Sequence, residues 1–171
     1  MRLLTASVIF VLLAAIANSA QNKSVYTSTK TSACRTIVST NEGTGSYEGE
    51  CRGVGGYKVR LIEGDIRQTL NIVTPARKKH ALNFWGFYPS FSAIGEKIEW
   101  RIKGGVLVAL IARYSVADPE DSTKSTLYLL VSKIGLTESC VTDVVKPGPK
   151  QNEEARTLAD VAPTKPCKKT E

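Results

Sequence analysis

Four cysteines, Cys34, Cys51, Cys140 and Cys167, restrict what this chain can fold into more than any other feature, because the residues that precede them direct the chain to an oxidising compartment. The sequence opens MRLLTASVIFVLLAAIANSA: one early Arg2, an apolar run from Leu3 to Ala17, then small residues, which is the layout of a secretory signal peptide. Cleavage is expected after Ala17, with Ala20 as the alternative. Thr5, Ser7, Asn18 and Ser19 make the stretch a poor membrane span, and no later stretch is apolar for long enough to cross a bilayer. The expected address is therefore the periplasm or the extracellular medium, where paired thiols become disulfides. Of the three possible pairings, Cys34 with Cys51 and Cys140 with Cys167 are preferred because each closes a local loop at one end of the chain. By the loop-entropy model each contributes about 3 kcal/mol. No pair has Cys-x-x-Cys spacing and the only histidine is His80, so neither a metal nor any other cofactor is expected.

The organisation expected is a signal peptide over 1–17, a flexible segment or loose edge strand over 18–33, and one disulfide-stapled β-rich domain over 34–171. The segment QNKSVYTSTKTSA is rich in Ser, Thr and Lys and offers little to bury. CRTIVST, NEGTG and SYEGEC then read as a hairpin whose arms a Cys34–Cys51 bridge would pin. In GYKVRLIEGDIRQTLNIV, Tyr57, Val59 and Leu61 alternate with Lys58 and Arg60, EGD supplies a turn, and Ile66, Leu70 and Ile72 continue beyond it. VLVALIARY and TLYLLVSKI are apolar on both faces, as strands covered on both sides are, and should be central. One helix is expected, in NEEARTLADVAP: Asn152 as cap, Glu153 and Glu154 in the first turn, Ala155, Leu158, Ala159 and Ala162 on one face, Pro163 as the stop. The fold class is mainly β (α+β): an antiparallel sheet, or a barrel or sandwich, of seven to eight strands with one short C-terminal helix.

The segment PARKKHALNFWGFYPSF is the most suggestive of a site. Arg77, Lys78, Lys79 and His80 precede a dense run of aromatics, and cations beside aromatic faces are the general recipe for holding a polymer that carries acid groups. Arg77, Lys78, Lys79, His80, Trp85 and Tyr88 are the candidate binding residues. The bland alternative turns Phe84, Phe87 and Phe91 inward as a plug under the loop. In IGEKIEWRIKGG, Ile98, Trp100 and Ile102 point one way and Glu99 and Arg101 the other, so this trio of Glu, Trp and Arg belongs to an amphipathic strand. Glu99, Arg101 and Arg67 form a candidate ion-pair network. No nucleophile elbow is present, and Glu63 with Asp65 or Glu153 with Glu154 are turn and first-turn residues, so no catalytic residue is assigned.

GGYKVRLIEGDIRQ, FSAIGEKIEWR, ALIARY, Cys140 and NEEARTLAD with Cys167, taken in this order, resemble a family of small exported proteins of Gram-negative bacteria to which no activity is attached. The resemblance implies a periplasmic address and a Cys140–Cys167 bridge, and it carries no functional residue. By class, the chain is also similar to bacterial lysozyme inhibitors, although it lacks their tyrosine-and-glycine segments. With 23 Lys and Arg against 16 Asp and Glu, a net +7, the chain favours an anionic envelope polymer or an acidic protein as partner; nucleic acid is disfavoured. The functional expectation is a non-catalytic exported binding or envelope-associated protein, with a hydrolase of cell-envelope material as the rival.

Overall fold

A computed structural model describes residues 22–43 and 45–170; the expected signal peptide lies outside them. Ten strands and one helix follow in order: β1 (Lys23–Ser28), β2 (Cys34–Thr40), β3 (Ser46–Arg52), β4 (Lys58–Gly64), β5 (Arg67–Val73), β6 (Lys79–Ala81), β7 (Ser92–Lys103), β8 (Val106–Ala117), β9 (Ser125–Lys133), β10 (Cys140–Val145) and α1 (Gln151–Val161). All ten strands belong to one sheet, ordered β10-β9-β8-β7-β5-β4-β3-β2, with β1 on β7 and β6 on β5. Among the described residues no helix is long and apolar enough to cross a membrane.

Two antiparallel meanders, β2–β5 and β7–β10, make up this sheet and meet at a single parallel pair, Arg67 with Ser92. The sheet is therefore mixed, which corrects the purely antiparallel expectation. It has ten strands because β1 and the three-residue β6 are added to the seven or eight expected. It is not a closed barrel: β2 and β10, the ends of its strand order, do not pair with each other. Their inner faces nevertheless share one core, in which Val59, Leu61, Leu70 and Ile72 of the first meander pack with Ile98, Trp100, Leu110, Tyr114 and Leu130 of the second. Helix α1 covers the opposite face of the second meander, where Ala155, Ala159 and Ala162 meet Ala109, Ile111, Leu129 and Val131. Alanines on the helix let it lie close against the strands, and β8 and β9 are apolar on both faces because both are covered.

Residues 23–28 are strand, and their pairing partners explain why. Trp100 is fully buried and its indole N–H needs an acceptor, which Thr27 Oγ1 of the adjacent strand supplies at 2.8 Å. Two turns differ from the sequence expectation. The β4–β5 hairpin turns on Asp65 and Ile66, both at positive φ, between the paired residues Gly64 and Arg67. Ile66 is thus an exposed turn residue and does not continue the strand. Asn152 does not cap α1; Lys150 precedes the helix without a side-chain cap, and Gln151 holds the first turn by donating to the Leu127 and Val145 carbonyls. These bonds tie the first turn to β9 and β10 without capping its free N–H groups.

Candidate binding site

Glu99 and Arg101 lie two residues apart on the outer face of β7 and meet the helix. The Arg156 guanidinium donates twice to Glu99, at 2.7 and 3.2 Å, and Arg101 donates twice to Asp160, at 2.9 and 2.8 Å. Ser24 of β1 ties the two pairs together, accepting from Arg101 and donating to Glu99. Burial pushes the Glu99 carboxyl up, but Arg156, Ser24 and Tyr26 outweigh it and hold it below its ordinary value; in turn, Glu99 raises the Arg156 guanidinium further. Asp160 behaves alike: desolvation raises it, and Arg101, Asn22 and Lys103 bring it below the ordinary value. Arg67 is not part of this network. Its strand meets β7 only at Ser92, seven residues from Glu99, and its guanidinium instead bonds Asp65 at 2.9 Å and lies 5.8 Å over the Trp85 ring. The arrangement docks a helix on a sheet through fully engaged charges.

The segment 77–91 divides between the two readings the sequence allowed. Phe84 is fully buried and Phe87 packs on the same core, whereas Phe91 points outward. Arg77 is exposed at a positive φ, and Lys78 reaches away to the Thr137 carbonyl at 2.9 Å. Lys79 and His80 belong to β6, paired with Val73 and Ile72. The His80 Nε2 and Trp85 Nε1 atoms are buried without a hydrogen-bond partner among the described residues. Trp85 is half-buried, with the Arg67 guanidinium over its ring.

Tyr88 borders the candidate site. Its ring stacks on Tyr128 of β9 with centroids 4.2 Å apart and lies 6.5 Å from Tyr114, forming a ridge with a groove on one side and lysine-lined hollows on the other. On one side is an apolar groove of about 460 Å³ whose walls include Pro89, Val116, Pro119 and Thr126. On the other, Lys168 and Lys169 line a hollow of about 150 Å³ with Phe87 and Val144, and a wider one of about 440 Å³ with Leu82 and Asn83. These lysines arrive from the chain's far end. The Cys140–Cys167 bridge and the Lys168 N–H bond to the Val141 carbonyl, 2.8 Å, lay residues 167–170 along β10. Gly86 leaves the space for that segment, since a Cβ there would stand 2.5 Å from Thr170 Cγ2. Lys168 and Lys169 are exposed and form no ion pair among the described residues.

Both expected disulfides are formed, Cys34–Cys51 and Cys140–Cys167. Glu138 lies within reach of the second, but sulfurs joined to each other are not thiolates and do not ligate metal. Sequence reasoning singled out Tyr88 and missed Tyr128, Lys168 and Lys169. The signal was present for the lysines, because they directly follow a cysteine assigned to a bridge with β10. No family model matches the chain, and no curated protein or solved structure proves similar to it.

Proposed function

We propose that the protein is an exported, non-catalytic binding protein that holds an anionic envelope partner, polymer or acidic protein, across the Tyr88 ridge. The observation that carries this reading is the position of the stacked Tyr88–Tyr128 pair between an apolar groove and a hollow lined by two exposed lysines. A ring or apolar side chain lies in the groove against the tyrosine faces, while an acid group on the same partner reaches Lys168 and Lys169. Two disulfides support export, as does the signal-like start, and membership of the exported Gram-negative family that the sequence resembles is part of the same proposal.

Binding of purified lipopolysaccharide, an anionic envelope polymer with sugar rings, tests the reading. Lys168→Glu with Lys169→Glu, and separately Tyr88→Ala, are expected to weaken it about tenfold or more, with the loss from charge reversal shrinking in high salt. Lys79→Glu, on β6 and outside the hollow, is expected to leave it within about threefold. Equal binding by wild type and the lysine pair would refute the site.

A further inference from the structure

Helix α1 does not seal the whole outer face of the second meander. Between its first turns and strands β1, β7, β8 and β9 lies another hollow of about 320 Å³, at the lower end of the ~300–1,000 Å³ typical of small-molecule sites. Ile111 and Leu129 form its floor, 4% and 2% exposed. Tyr26, Lys97, Arg113 and Arg156 stand around it. Strand register produces this grouping: Tyr26 pairs with Glu99 and Glu99 with Ile111, while in the next row Lys97 pairs with Ser28 and Arg113 with Leu129. The β7–β8 register resumes at Ile98 with Ala112, which leaves Lys97 and Arg113 flanking the same step on neighbouring strands.

Charge in the hollow is unbalanced. Glu99 is fully engaged by Arg156. Among the described residues Arg113 meets a neutral acceptor, the Asn152 amide oxygen at 2.9 Å, and its side chain is seated where Gly95 has none, since a Cβ there would lie 3.0 Å from the Arg113 Cβ. Lys97 makes no ion pair among the described residues. Like charges on adjacent strands repel, and an anion between them removes that repulsion. Inorganic anions would answer the charge alone, whereas an apolar body also covers the Tyr26 ring, which is 53% exposed beside the nearly closed floor of Ile111 and Leu129.

We infer that this hollow binds a small amphiphile with one carboxylate: the headgroup sits between Lys97 and Arg113, and a short apolar body lies against the Tyr26 ring over the floor of Ile111 and Leu129. The site is separate from the Tyr88 ridge and does not depend on it.

Titration of the full chain with octanoate, followed by backbone amide shifts, tests the assignment, with octanol as the arm lacking charge and acetate as the arm lacking the apolar body. Octanoate is expected to shift the amides of Ile111, Arg113 and Leu129, with octanol and acetate about tenfold weaker or more. Lys97→Gln with Arg113→Gln is expected to weaken octanoate about tenfold, and Lys97→Gln alone, at an exposed position that tolerates exchange, about threefold. Lys168→Glu with Lys169→Glu is expected to leave octanoate binding unchanged, so failure here and failure at the ridge are told apart. Octanol binding as tightly as octanoate, shifts that bypass these amides, or full affinity in Lys97→Gln and the Gln pair would overturn the inference.

Discussion

Replacing Asp160 by alanine isolates what the helix–sheet charges do for the fold. The change leaves the Arg101 guanidinium, whose side chain is 8% exposed, without the two bonds it donates to the carboxylate at 2.9 and 2.8 Å. Breaking a fully buried pair costs about 3–5 kcal/mol. Asp160 is 19% exposed and Ser24 still accepts from Arg101, so water and the serine recover part of that, and the expected loss is about 2–3 kcal/mol. In a domain of this size that lowers the thermal midpoint by about 5–10 °C. Urea unfolding followed by far-ultraviolet circular dichroism measures it. The informative partner is the double variant Arg101→Met with Asp160→Leu, which removes both charges and is expected to return to within about 1 kcal/mol of wild type. A single variant that loses less than about 0.5 kcal/mol would refute the reasoning, as would a double variant no more stable than the single.

Other outcomes follow from particular contacts. Carboxyls held below their ordinary values in the folded protein, Glu99 and Asp160 among them, contribute stability that is complete above the unfolded carboxylate range, roughly pH 4, and lost as pH falls through their folded values; unfolding midpoints measured from pH 6 down to pH 2 are expected to drop, and by less in Arg101→Met with Asp160→Leu. Ile66→Gly relieves a β-branched residue at φ 57° and is expected to raise stability by about 1 kcal/mol, read by the same urea titration. Removing the Cys140–Cys167 bridge by a double alanine replacement opens a loop of 27 residues and is expected to cost about 3.5 kcal/mol, with faster hydrogen exchange confined first to residues 165–170 and α1.

Much of the fold was legible because burial left a direct mark on residue type. β8 and β9 are apolar on both faces, so their central place with cover on either side could be read from composition alone. The Cys34–Cys51 hairpin was readable for a similar reason, since strand pattern and cysteine position agree. Strand β1 was harder to see, because KSVYTS offers little apolar area; it is held by polar side chains, Thr27 under Trp100 and Ser24 between Glu99 and Arg101, that mean nothing without their partners. The helix dock was half visible. Residues four apart on a helix rise about 6 Å and residues two apart on a strand about 6.6 Å, so Arg156 and Asp160 match Glu99 and Arg101 in spacing and in reversed charge. What the sequence lacked was the strand order that brings them together. The basic run at 77–80 shows that adjacent cations need not share a surface: Lys78 turns to Thr137 and His80 is paired in β6, while Lys168 and Lys169 line the hollow beside Tyr88.

Strand β1 has a further consequence, for the order in which the chain can assemble. Val25 pairs with Trp100, and every other residue of β1 likewise finds its partner within residues 97–102. A polypeptide emerging amino end first must therefore keep residues 23–28 waiting until most of the following eighty have appeared, while the β2–β5 meander is already free to form from neighbours. Completion of the outer face, with Ser24 seated between its two charged neighbours, is a late event that also requires the helix, so a segment made after residue 150 secures one made before residue 29.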